Sequence, residues 1–467
     1  MRIAALVALL AAVLPSALGV PAHQLPLAAP LAPAPAPPVW PAEEGVGHFS
    51  EWSKAQKRQF VTDVVAGKAD EWVLVMGNEG GDLDSMTAAL TWAYHLSHNN
   101  EAGNRTIALL QTPRDALDLR PENKLALRNV LMSPGHRDLL TIDELPVPPR
   151  ELAKQIKGIV LVDHPAPLSD WEEAKVEAIF DHHLDRGAAP DARPRIFEPV
   201  ASCTTIVARQ MLDELEARKE GEYHVPHEVV ELILDAIAID SKGLTNSQPA
   251  DKFTAERLLR RSNWRDEKLY TVMARLDDEL SAAKKALDEL GVRDLLRRDW
   301  KGDLVKTADG TPDVHVGFAS VPLSLEDQVE RTLYNTTDAW FGVLDGFSNE
   351  IGVDVTISLH SYKSKRHEDG HPKGGDVLRS KKIKVREMVL AVRPTDNVSD
   401  AQATQLFDLV SKTLEESPFL DAERWADYKS LKPRQMIWVH HSPNGGRKLV
   451  RPIVESAIAG WKDSLAA

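Results

Sequence analysis

Between residues 72 and 243 the chain alternates short apolar runs with helical patterns, and several runs end abruptly in charge. Val73-Leu74-Val75-Met76 carries two β-branched residues and is long enough for one buried strand. Asn78-Glu79-Gly80-Gly81-Asp82-Leu83-Asp84 then breaks the pattern, and from Ser85 the spacing turns helical, with Met86, Ala89, Leu90, Ala93 and Tyr94 on one face. Ser85 is the expected N-cap. Thr106–Gln111, Gly158–Val162, Ala178–Phe180 and Arg195–Val200 read as further strands, and Thr204–Ala217 and Val229–Ile239 as helices. Such alternation predicts an α/β fold, a doubly wound, mainly parallel sheet with helices on both faces, over residues 45–249.

Residues 250–290 are helical and highly charged, and read as a bridge. Strands then resume at Val314–Val321, Val353–His360 and Lys382–Val392, with helices at Ala401–Glu415 and Lys448–Trp461. Residues 291–467 are therefore expected to form a second, smaller α/β domain.

Met1 to Gly19 has one early arginine, an apolar core too short to span a bilayer and a small-residue exit. It reads as a secretory signal peptide, followed by a Pro/Ala-rich linker over 20–44, so the mature protein is expected to be secreted. The net charge of −14 argues against nucleic acid and anionic membranes as partners. A single cysteine, Cys203, rules out an internal disulfide. It lies in Ala201-Ser202-Cys203-Thr204-Thr205 with no base nearby, and reads as a small residue at a helix start.

Four polar exits carry the candidate chemistry. Asp82 and Asp84 sit two residues apart on the first turn, where both carboxylates can face one point, and oxygen ligands suit Mg²⁺ or Mn²⁺. Val160-Leu161-Val162 ends in Asp163-His164, Ala178-Ile179-Phe180 ends in Asp181-His182-His183, and an apolar run ends in Asp240-Ser241. One such exit is ordinary turn chemistry. Four at the ends of buried elements point to a metal site.

Those four motifs, in that order, resemble the DHH phosphoesterases. The resemblance runs from about Gly45 to Trp461 and is nearest to the eukaryotic exopolyphosphatases, with prune-like phosphodiesterases and family II inorganic pyrophosphatases as relatives. It implies two divalent ions per site, Mg²⁺ or else Mn²⁺ or Co²⁺. Asp82 would bind one and Asp84 the other, Asp163 would bridge both, and His182 and Asp240 would complete the second. His183 would lie just outside, against the leaving phosphate, with Asp163 and His183 as the catalytic pair. The pyrophosphatases begin the first motif with a histidine ligand; Asn78 stands there in this chain, a metal or water contact that favours Mg²⁺ and the exopolyphosphatase branch.

The second half supplies positive charge. Lys363 to Arg386 holds nine Lys/Arg against three Asp/Glu, the pattern of a solvated face or of a polyanion track. Asn444-Gly445-Gly446-Arg447-Lys448 opens the last helix, where a glycine pair lets backbone N–H groups approach an anion. This stretch resembles the Ser-Arg-Lys motif of the DHH-associated domain, with Gly446 in place of the serine, making Arg447 and Lys448 phosphate ligands. Lys301, in a segment resembling that domain's opening, is a third.

The reading is a monomeric exopolyphosphatase that removes terminal orthophosphate from linear inorganic polyphosphate. A prune-like nucleotide phosphodiesterase or a short-chain poly- or pyrophosphatase is the enzyme alternative. An anion-binding or interaction protein on the same fold is the non-enzyme alternative.

Overall fold

The computed structural model describes residues 45–98, 105–217, 225–307, 311–364, 383–425, 431–442 and 445–462. The leader at 1–19, the Pro/Ala stretch at 20–44, positions 365–382 of the basic run and Asn444 fall outside the described residues.

The first sheet holds six strands: β1 (Trp72–Met76), β2 (Arg105–Leu110), β3 (Leu140–Thr141), β4 (Gly158–Val162), β5 (Val176–Asp181) and β6 (Arg195–Phe197). Their order is β3-β2-β1-β4-β5-β6 and every pairing is parallel. The runs are continuously apolar because both faces are covered. Val75, Ala108, Val160, Val162 and Phe180 enter one core with the helices Leu83–His98, Cys203–Glu216 and His227–Ser241. Leu74, Met76, Leu109, Ile159, Leu161 and Ile179 enter the other. Strand order reverses between β1 and β4, so a crevice opens at their carboxyl ends, where such sheets hold ligands.

The charged stretch expected as a bridge forms the helices Pro249–Leu259 and Leu269–Lys284, and their inner faces join the first core. Ala255, Leu258, Val272, Met273, Leu276 and Leu280 belong to that core, and both helices lie against His227–Ser241. Charge on the outer face masked that apolar stripe in the sequence.

The second sheet also has six strands: β7 (Trp300–Val305), β8 (Val314–Val321), β9 (Val355–Ser364), β10 (Ile383–Val392), β11 (Ala422–Arg424) and β12 (Gln435–His440). Its order is β11-β12-β10-β9-β8-β7, and only the β8–β9 pairing is parallel. One face carries Phe318, Ile357, Met388 and Leu390 under the helices Asp400–Glu415 and Arg447–Ala459. The other carries Ala319, Val389 and Val439 under Val292–Arg298 and Thr337–Glu350. In this sheet β7, β11 and β12 were not expected as strands, and Lys301 lies inside β7.

Charge joins the two sheet layers. Arg298 pairs with Glu122 at 3.0 Å, Arg297 with Asp115 at 2.6 Å, Arg451 with Glu79 at 2.9 Å and Lys306 with Glu172 at 3.0 Å. Among the described residues no helix is long and apolar enough to cross a membrane.

Candidate metal centre

The site begins where β1 stops. Gly81 adopts a left-handed conformation at φ +56°, and a Cβ there would lie 2.2 Å from Thr112 Oγ1. Glycine is therefore required for the turn. The helix then starts at Leu83, one turn earlier than its apolar spacing suggested. Asp82, not Ser85, caps it: Asp82 Oδ1 accepts from the Ser85 backbone N–H at 3.1 Å. Ser85 is thereby freed, and its Oγ donates to Asp163 Oδ2 at 2.5 Å.

Asp163 follows the last residue of β4 and has φ +60°, which throws its carboxylate sideways over the sheet end. Asn78 Nδ2 donates to Oδ2 at 2.6 Å. His182 Nε2 and His183 Nδ1 approach Oδ1 at 3.2 Å and 3.6 Å. Asp163, His182 and His183 each place a potential ligand atom within 4.8 Å of the others. Against the cost of burial, the bond to His182 and the charges of both histidines hold Asp163 well below the usual carboxylate range.

Asn78, expected as a metal or water contact, holds Asp163 through its amide nitrogen, and its oxygen accepts from the Gly80 N–H at 2.8 Å. It thereby positions the carboxylate.

His182 Nδ1 lies 3.1 Å from the Val200 carbonyl, so Nδ1 carries a proton and Nε2 points into the cluster. Against the cost of burial, the Asp163 bond and the Asp84 charge raise its pKa to about 9. His183 Nδ1 is 2.7 Å from Asp181 Oδ1. Asp181 Oδ2 is buried without a partner among the described residues.

The other acids surround this cluster. Asp84 Oδ1 accepts from Ser202 Oγ at 2.6 Å, Thr204 N at 2.8 Å and Thr204 Oγ1 at 2.6 Å. Among the described residues its Oδ2 accepts only from Cys203 N, at 2.8 Å. Most of its acceptor capacity thus caps the Cys203–Glu216 helix, and one Oδ2 lone pair remains for a cation. Burial and Asp163 push its carboxyl up to about 6. The Asp240 carboxylate, in the last turn of His227–Ser241, makes no hydrogen bond among the described residues. Burial, then Asp84 and Asp82, raise its carboxyl well above the ordinary range. Acids that resist ionisation because they are buried beside one another form a donor set that fits a divalent cation. Cys203 is not part of it: it is fully buried, its Sγ donates to the Phe180 carbonyl at 3.1 Å, and burial pushes its thiol up.

The second layer faces the cluster with cations. A Cβ on Gly80 would lie 2.8 Å from Lys301 Cε, so that side chain passes close over the loop. Lys301 Nζ has no hydrogen-bond or ion-pair partner among the described residues. Burial and Arg447 lower its pKa; Glu79, Asp163 and Asp82 act in the opposite sense. Arg447 donates to the Asp299 carbonyl and to Asp299 Oδ1, both at 2.8 Å, leaving its remaining N–H groups for a ligand. Lys448 is exposed, yet near enough to His182 for its charge to oppose protonation there.

Two residues escaped the sequence reading. Glu79 lies inside the first motif, and its Oε1 accepts from Arg451 Nη1 at 2.9 Å. Against the cost of burial, Lys301 and Arg451 hold its carboxyl down to about 2. Arg451 stands one helical turn after Arg447, and that spacing was the available signal.

Residues 72–237 match the model of the DHH family, N-terminal domain. A Schizosaccharomyces pombe protein provisionally named an exopolyphosphatase is 28% identical over 326 residues, 67% of this chain and 78% of that protein. Exopolyphosphatase PRUNE1 of Rattus norvegicus is 29% identical over 304 residues, and the match spans 63% of this chain but only 61% of the relative. A solved Methanococcus jannaschii structure, provisionally assigned as a family II inorganic pyrophosphatase, covers 83% of this chain and 100% of its own. Its identity is 19% and its TM-score 0.48.

Proposed function

We propose, from the premise that residues 72–237 form a DHH-family domain, that the protein is a secreted, metal-dependent exopolyphosphatase releasing terminal orthophosphate from linear inorganic polyphosphate. One observation carries the reading: the Asp163–His182–His183 cluster, ringed by Asp82, Asp84 and Asp240, faces Lys301, whose ammonium has no partner among the described residues. The relatives' names support the same class of reaction, hydrolysis of a phosphoric anhydride.

Asp163, His182, Asp82, Asp84 Oδ2 and Asp240 would hold the divalent ions. Bound there, such ions lower the pKa of water and neutralise charge on phosphate oxygens. The chain does the rest. Lys301, Lys448 and the spare N–H groups of Arg447 grip the terminal phosphates and hold them in line with the cluster. His183, anchored at Nδ1 by Asp181, turns its other nitrogen towards the leaving phosphate and holds a proton for it. Phosphate release from polyphosphates of several lengths, pyrophosphate and cyclic nucleotides, each with Mg²⁺, Mn²⁺ or Co²⁺, tests the reading. Release confined to cyclic nucleotides would replace it with a phosphodiesterase.

Lys301→Met should keep the aliphatic stem over Gly80 while losing the charge. A charge-assisted contact is worth about 1.5–3 kcal/mol, so kcat/KM for tripolyphosphate should fall roughly ten- to a hundred-fold. Metal affinity should not fall. Unchanged kcat/KM would remove Lys301 from the substrate site.

Metal binding should depend on pH through His182. In the metal-free protein its Nε2 is protonated below about 9, and a cation must displace that proton. Apparent Mn²⁺ affinity should therefore strengthen on the order of a hundred-fold from pH 7 to 9, then level off. Calorimetric titration in buffers of different ionisation enthalpy reads both affinity and proton release. A pH-independent affinity without proton release would exclude His182 as a ligand.

A further inference from the structure

The loop that carries the first motif is held by its carbonyls. Gly77 and Asn78 follow β1, and two adjacent glycines, Gly80 and Gly81, precede Asp82. Adjacent glycines leave a backbone many conformations, so this loop needs partners outside itself to keep one of them. Every carbonyl from 77 to 81 is engaged. Gln111 Nε2 donates to that of Gly77 at 2.6 Å, the Gly81 N–H to that of Asn78 at 3.3 Å, and Thr112 Oγ1 to that of Glu79 at 2.9 Å. Asn123 Nδ2 donates to that of Gly81 at 2.9 Å, and Arg120 Nη2 to that of Gly80.

Arg120 differs from the other three side chains in this set. It is charged and 2% exposed, and its Nε is buried without a partner among the described residues. A buried guanidinium ordinarily forks onto a carboxylate. Here Glu122 and Asp299 both stand 3.6 Å away, beyond hydrogen-bond reach, and the Gly80 carbonyl takes the hydrogen bond. Neither acid depends on Arg120 for a partner, since Arg298 pairs with Glu122 at 3.0 Å and Arg447 with Asp299 at 2.8 Å. On the other side of the loop the Gly80 N–H donates to Asn78 Oδ1, and Asn78 Nδ2 donates to Asp163 Oδ2. Gly80 therefore joins Arg120 to the carboxylate of the metal cluster, and Asp299 faces Arg120 from the second layer.

We propose that Arg120 is a positioning residue for the metal cluster. By fixing the Gly80 carbonyl it holds Asn78 against Asp163 without touching an ion or the substrate, and its approach to Asp299 ties that setting to the second layer. The proposal rests on the metal-dependent reading of the site.

Arg120→Met keeps the apolar stem and removes the donors. Charge alone predicts that deleting a buried cation beside a cation site tightens Mn²⁺ binding. Positioning predicts the opposite sign: calorimetric titration of the full chain should show Mn²⁺ affinity weaker by roughly ten- to a hundred-fold. Arg120→Lys keeps the buried charge but loses the planar fork, so it guards against misfolding and should shift affinity the same way by a smaller factor. Asn78→Ala breaks the same path, so the Arg120→Met/Asn78→Ala double variant should bind Mn²⁺ within about twofold of the weaker single variant. Hydrogen exchange in the metal-free protein should quicken at the amides of residues 80–86 in Arg120→Met and stay as it was in β1. Unchanged or tighter Mn²⁺ binding in Arg120→Met, or additive losses in the double variant, would overturn the proposal. If the unchanged protein binds no Mn²⁺, the metal-dependent reading fails; faster exchange then still sustains Arg120 as the residue that sets the loop, and unaltered exchange overturns it.

Discussion

Asp163→Asn should reduce phosphate release by roughly three orders of magnitude or more, since the charge that on the proposed reading would anchor divalent ions is worth several kcal/mol of transition-state stabilisation. The geometry explains why so small a change is so costly. Asn78 Nδ2 and Ser85 Oγ both donate to one carboxylate oxygen, while the two imidazoles approach the other. A carboxamide offers an oxygen to only one of these groups and turns its NH₂ on the other. Without the negative charge, the His182 proton also loses its principal support. The fold should survive with a loss of about 1–3 kcal/mol for the unsatisfied donors. Thermal melting, metal titration and phosphate release at saturating Mg²⁺ separate these effects. Turnover within tenfold of the unchanged protein would remove Asp163 from the mechanism.

The largest effect on stability should come from Glu122→Ala. Glu122 is 1% exposed, and both its oxygens accept from Arg298 Nη2 at 3.0 Å. Arg120 Nη1 is 3.6 Å away, and Arg120 Nη2 donates to the Gly80 carbonyl in the first motif. Deleting the carboxylate leaves two buried guanidinium groups facing each other, which costs about 3–5 kcal/mol. The melting temperature should fall by something on the order of 10 °C. Against the cost of burial, Arg298 and Arg120 hold the Glu122 pKa below its ordinary value. Its contribution is therefore present above the ordinary glutamate range and lost as pH falls through the depressed folded pKa, and the variant should show less acid sensitivity. A melting temperature within about 2 °C of the unchanged protein would mean that the ion pairs joining the layers are expendable.

The parallel sheet and the polar ends of β1, β4 and β5 were legible in the chain because both rest on short-range order. A continuous apolar run marks a strand covered on both faces, and the charge that ends it marks where the backbone leaves the core. Within a few residues, however, the sequence could not distinguish Ser85 from Asp82 as the cap, since both residue types cap helices and only the Asp163 carboxylate claims Ser85. Nor could it show that Asn78 presents a nitrogen to Asp163. β12 went unnoticed in the chain; it is a strand because β10 and β11 flank it. The pairings that close the site, Glu79 with Arg451, Glu122 with Arg298 and Asp299 with Arg447, join residues far apart in the chain. Periodicity and capping act over a few residues, whereas a buried charge takes whichever opposite charge the packed layers bring to it. Those pairings, and the gathering of Asp163, His182 and His183 within 4.8 Å of one another, were decided by the tertiary structure alone.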